Sequence, residues 1–317
     1  MSARWSLEIA PRTRGYLAIV IAAVFFGAWP TLSKLVLGSI PSPLVLAFLI
    51  QLIPAIALAP SLRRVRVSRG DAKLLLLSSL SGSVLGPLIY FYGLERTTAS
   101  NSVLLSNSEA MFTVLLAYAF LGERATRREY VALGGIAVGA FLVATELRFG
   151  DVQFLGFLIG NLMLIAAAAC WASSNTVSSV LLRRIAIVPL LAIQFGIGAI
   201  CYAPIVILSR APLDVPLGVL PLLFFLSLSA VGMFSVLFFY AFRTIGAMRS
   251  GAILPTSVLW GILLARLLLP NETLSEVQIL GGGLMVGALV AFYIFRGPAK
   301  AEGETLKPAA SDGPDSP

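Results

Sequence analysis

The chain contains no histidine. That removes the commonest metal ligand and the usual general base near neutral pH. It has two cysteines, Cys170 and Cys201, both in apolar stretches, where a thiol behaves as a small hydrophobe. Charge is also scarce, at 12% of 317 residues, against about 25% in soluble domains. No GxSxG turn, HExxH pair or phosphate-cradling glycine loop occurs, which excludes the common hydrolase, zinc-protease and nucleotide-binding signatures. No cofactor or metal is therefore expected.

What the chain does have is apolar length. Some 58% of its residues are apolar, and runs of about 20, enough for one helix to cross a bilayer, recur from end to end. The spacing predicts an all-α polytopic membrane protein with ten transmembrane helices. They are spans one to ten, at 15–37, 43–60, 74–94, 99–121, 130–147, 154–181, 189–208, 217–242, 250–269 and 277–296. Residues 1–14 precede the first span, which shows no small-residue cleavage site and reads as retained. The polar, Pro-rich stretch 297–317 reads as a disordered tail.

Cation placement tests this division. With ten spans both termini fall on one side, which receives eighteen of the twenty-three Lys and Arg residues, including Arg63, Arg64, Arg66 and Arg69 in one loop. The other side receives only Lys34, Arg96, Arg148, Arg210 and Arg266. Lys and Arg in short loops favour the cytoplasm, so both termini are expected there, in a bacterial-type inner membrane. The net charge of +8 is explained by topology and needs no nucleic-acid partner.

The halves repeat each other. A shift of 148 residues places Tyr92 on Tyr240, Ala99 on Ala247, and the pair Gly135/Gly139 on Gly283/Gly287. Small residues at that spacing let membrane helices approach closely. Thr126–Glu129 and Thr273–Glu276 each read as a T-x-x-E capping box opening the fifth span of its half. Five is odd, so the second half enters the membrane upside down, an arrangement found in secondary transporters. The halves are 15–147 and 154–296.

These stretches resemble the EamA-like branch of the drug/metabolite transporter superfamily. "SEAMFTVLLAYAFLGERATRREYVALGGIAVGAFLVA" is similar to the end of that family's repeat, with Gly122-Glu123 as its Gly-Glu. Glu272 takes the matching role after a one-residue slip. "FFGAWPTLSK" resembles the first-helix pattern and "CWASSN" the sixth. Phe26 stands where the family often has Trp, and Ala110 where a proline is common. The resemblance implies ten helices in two five-helix repeats, peripheral spans five and ten, and export of small metabolites such as amino acids. It names no cargo.

One carboxylate stands out against this background. Glu109 lies near the middle of span four, where a lipid-facing charge would cost about 2.5–3.5 kcal/mol. Ser102, Ser106, Glu109 and Thr113 share one helical face, so that face is expected to meet a cavity or the bundle interior. Two readings stay open: Glu109 contacts an amine or accepts a proton in a translocation cavity, or it ties helices together through neighbouring Asn and Ser residues. Candidate substrate-binding residues alongside it are Ser106, Asn107, Trp29, Tyr90, Trp171, Asn175 and Trp260. Lys34 and Arg266, near the outer span ends, either snorkel to the interface or serve as gate or counter-charge. The expected partners are a small-molecule substrate and the lipid bilayer, with the chain a monomer or homodimer. Import, a membrane-embedded lipid- or prenyl-modifying enzyme, and a non-transporting sensor are the competing readings.

Overall fold

The computed structural model describes residues 11–40, 42–65, 67–121, 126–149, 154–245, 250 and 253–302. Gly122, Glu123, Ala247 and the stretch 303–317 lie outside the described residues. Those described are helical almost throughout and contain no strand. Among the described residues eight helices are long and apolar enough to cross a membrane. Span nine, Leu254–Leu268, is shorter, and span four is split into Ala99–Leu105 and Ser108–Leu121.

Local signals place the span ends. Pro43 starts span two directly after the extended Ser42, where a missing N–H costs nothing. The Thr98 hydroxyl accepts from the Asn101 N–H to open span four. Thr126 and Glu129 form the expected capping box of span five. The second box falls elsewhere. Ser275 and Gln278 bond reciprocally, at 2.6 and 3.2 Å, in place of Thr273 and Glu276. Gln278 is held in that register because its amide also donates to Asn101 and Glu146. A second difference lies at the chain's end. The final helix runs from Glu276 to Glu302, so 297–302 continues it, across Gly297 and Pro298, instead of opening the tail.

The two halves interlock. Span one packs on spans eight and nine, span six correspondingly on spans three and four, span two on span seven, and span five on span ten. Each pairing has its mate under exchange of the halves. The irregularities repeat as well. Leu80–Leu85 in span three and Leu226–Met233 in span eight are both π-helical, and the 148-residue shift superimposes them. The same shift carries the break at Ser106–Asn107 onto the 3-10 turn Leu254–Thr256 at the start of span nine. π-turns and broken helices leave backbone groups outside the regular ladder, which membrane proteins tolerate where the chain is covered by protein or lines a cavity.

Glycine permits the closest crossings. Gly139 lies against the Gly281 carbonyl and Met285 where spans five and ten cross, and Gly135 lies against Ala288. Gly283 and Gly287, their equivalents in the second half, have nothing within 4 Å of a Cβ position. The first GxxxG pair therefore packs the two halves together, whereas the second faces outward.

Candidate functional site

A cavity opens at the centre of the bundle, with about 850 Å³ of empty space including its mouth. Its walls come from spans one to four and six to nine. Most of the lining lies in the middle of the spans or in the half nearer the chain termini. Leu191 and Gln194 fall within two turns of the start of span seven, Phe238 and Phe239 within two turns of the end of span eight, and Leu254 begins span nine.

The break in span four sets Glu109 in this wall. Ser106 donates to the Ser102 carbonyl, and Asn107 donates to the carbonyls of Val103 and Leu104. The Asn107 side chain thus covers the Val103 carbonyl, which loses its helical partner because the Asn107 N–H bonds Leu104 instead, whereas the Ser102 carbonyl keeps its regular bond from the Ser106 N–H. The helix restarts at Ser108, which puts Glu109 in the first turn of the second segment, where the backbone dipole favours a negative charge. Glu109 Oε1 accepts from Asn175 Nδ2 of span six at 2.6 Å, and both residues line the cavity.

Trp29 and Trp171 also line it. Trp171 donates its indole N–H to the Gly82 carbonyl at 3.1 Å, within the π-helical turn of span three. Behind the two indoles lies Tyr90, 5.3 Å from each ring. Tyr90 is fully buried and accepts from Ser102 at 3.0 Å. It therefore backs the wall without lining it, and Ser106 and Asn107 bond within span four. Trp260 is 40% exposed, on the same face of span nine as the exposed Leu259 and Leu263, and is not among the lining residues. Of the eight sequence-derived binding candidates the cavity brings together four: Glu109, Asn175, Trp29 and Trp171.

The two basic candidates lie away from it. Lys34 turns to the end of span three and donates to the carbonyls of Leu94 and Thr97 at 2.7 and 2.5 Å. Helix C-termini carry unpaired carbonyls and partial negative charge, and a cation there needs no route to the interface. Arg266 is exposed in the last turn of span nine. The region around Lys34 is closed by a buried polar network that single-residue reading did not find. Asn101 Nδ2 donates to Thr97, Glu146 and Asn161, and Gln278 donates to Asn101 and Glu146. Glu146 is held there at a φ of 46°, a conformation uncommon outside glycine. Glu272 joins from the second half, accepting from the backbone N–H groups of Ala99 and Ser100 at 3.0 and 3.2 Å.

Two cavity amides were also missed. Gln51 and Gln194 both line the wall. Gln194 donates to Ser78 and Ser178 at 3.0 and 2.8 Å, and the buried Gln51 carbonyl has no partner. The signal was present: each is the lone amide in its span, and spans two and seven are repeat mates.

Ten apolar spans in two interlocked halves around a mostly apolar cavity define a polytopic helical membrane protein of the repeat-built kind. The chain belongs to the EamA-like transporter family, which matches residues 13–145 and 158–294, once per half, within the drug/metabolite transporter superfamily. An uncharacterized transporter of Methanothermobacter thermautotrophicus is 29% identical over 299 residues, 89% of this chain and 87% of that one. The uncharacterized transporter YyaM of Bacillus subtilis is 25% identical over 84 residues, 26% of this chain and 28% of that protein. A solved crystal structure superimposes with a TM-score of 0.62 at 18% identity, covering 94% of this chain and 99% of the other; that likeness is one of fold.

Proposed function

We propose that this chain exports small amphipathic metabolites carrying a positive group, amino acids and related amines among them, by alternating access through the central cavity. The observation that carries the reading is Glu109: a carboxylate midway along a broken span, bonded to Asn175 of the other half and lining a cavity that both halves wall. Opening and closing the halves would change the surroundings of this pair, which suits a cargo or coupling site. The cation bias of the loops supports cytoplasmic termini in a bacterial-type inner membrane. The cavity then faces the cytoplasm, and the Lys34 and Asn101 networks seal the outer side. An inward-open cavity is the state from which an exporter loads its cargo.

The test is uptake of a labelled panel of amino acids and amines into proteoliposomes of the pure protein, with Glu109→Gln alongside. Saturable flux that falls in the variant while its folding is retained is the expected result. Undiminished flux in the variant would return Glu109 to architecture. Turnover of a lipid by detergent-purified protein without vesicles would revive the enzymatic reading.

A further inference from the structure

Within that transport reading, the chemistry of the cavity wall selects among cargoes. We infer that, among the positively charged cargoes of that reading, the cavity prefers an organic monocation with an apolar or aromatic body, taking zwitterions such as amino acids less well and anions of the same shape least.

The charge inventory is one-sided. Glu109 is the carboxylate in the wall, and no Lys or Arg lines the cavity among the described residues. Lys34, the nearest basic candidate by sequence, is bound to the carbonyls of Leu94 and Thr97. A carboxylate without a cation partner in a low-dielectric site is costly. A cationic cargo would supply the missing charge, whereas a zwitterion would bring a second carboxylate with nothing to meet it.

The hydrogen-bond inventory points the same way. A bound carboxylate needs donors, yet those in the wall are mostly engaged. Trp171 donates to Gly82, Ser174 to Ser78 and Ser235 to Val231. Asn175 donates to Glu109, and Gln194 to Ser78 and Ser178. Drawing Asn175 or Gln194 to a cargo carboxylate would break a side-chain bond that each now makes, a loss that is penalised in buried surroundings; among the described residues, the Gln51 amide and the Ser83 hydroxyl are the wall donors not committed in this way.

Aromatic faces complete the match. Phe26 of span one stacks on Phe234 of span eight at 4.9 Å, and Phe234 stacks on Phe238 at 5.6 Å, forming a shelf along the cavity. Trp29 and Trp171 stand elsewhere on the same wall. Ring faces attract cations as well as apolar bodies, and they offer nothing to an anion.

The experiment uses a matched pair of probes, phenethyltrimethylammonium and N,N,N-trimethylphenylalanine, which differ only in the carboxylate. Both carry a permanent positive charge, so neither crosses the bilayer as a neutral amine. Labelled uptake into proteoliposomes of the full chain is measured for each, together with phenylalanine. The expected result is saturable uptake of the cation, favoured over its carboxylated partner by about tenfold or more. Glu109→Gln should lower cation uptake by a similar factor, and Glu109→Asp, which keeps the charge, should retain part of it. The wild-type comparison stands even if the variants fold poorly. Equal or better uptake of trimethylphenylalanine or phenylalanine would overturn the inference and leave the transport reading intact. Movement of no probe and no member of the amino-acid and amine panel would overturn both.

Discussion

Replacing Gly139 with alanine tests how the halves are joined. A Cβ there would lie 2.5 Å from the Gly281 carbonyl oxygen, 2.5 Å from Met285 Cγ and 2.9 Å from the Met285 backbone nitrogen. Ordinary contact begins at 3.4 Å. Two of these three atoms are backbone and cannot rotate away, so the helices themselves must part by roughly 0.9 Å, an overpacking that costs about 1–3 kcal/mol. The better helix propensity of alanine returns up to about 1 kcal/mol. Gly287→Ala is the control, because its Cβ meets nothing within 4 Å and only the propensity gain remains. The assay is the thermal unfolding midpoint of each variant in detergent. Gly139→Ala should fall by a few degrees, and Gly287→Ala should hold or rise slightly. Equal losses in the two variants would refute the assignment of the first GxxxG pair to the inner face.

Other expectations follow from the outer network and the cavity. Asn101→Leu removes the hub joining Thr97, Glu146, Asn161 and Gln278, and should destabilise by about 2–4 kcal/mol through stranded buried groups; chemical denaturation measures it. Glu272→Ala uncaps span four, with an expected loss of about 1–2 kcal/mol, whereas Glu272→Gln should keep part of that contribution. Asn175→Asp would set a second carboxylate against Glu109, at the 2.6 Å amide contact of the native pair. Like charges at that distance repel strongly, so transport should fall while Asn175→Ser retains more of it.

Much of the architecture was legible because lipid imposes few and strong rules. Apolar length marked the spans, cation placement suggested their alternation, and the 148-residue echo marked the two halves; the paired irregularities in spans three and eight and in spans four and nine have no local sequence signal that announced them. The capping box at Thr126 is local and was readable; the one at Ser275 depends on where Gln278 reaches across to span four, which no local pattern states. The same limit applies to side chains. Glu109 announced itself through cost, because an isolated charge at mid-membrane depth needs a protected place. Trp260 looked equally central by position, but it lies on the exposed face of span nine with Leu259 and Leu263, and depth along a span does not state direction. Lys34 looked like an interfacial cation until span three brought its C-terminal carbonyls alongside. Gln51 and Gln194 carried a real signal, solitary amides in otherwise apolar mates, that only becomes persuasive once the two spans are seen together.

Cargo is expected to cross through the cavity between the halves. The most direct test labels Ser235→Cys, on the span-eight wall, with a small thiol reagent in a chain whose Cys170 and Cys201 are alanine. Uptake is measured before and after modification, with Leu259→Cys on the exposed outer face as the comparison. The expectation is that modification at Ser235→Cys blocks the flux that the unmodified variant shows, that cargo slows the labelling, and that modification at Leu259→Cys changes neither. Flux that continues undiminished through a fully labelled Ser235→Cys cavity would contradict it.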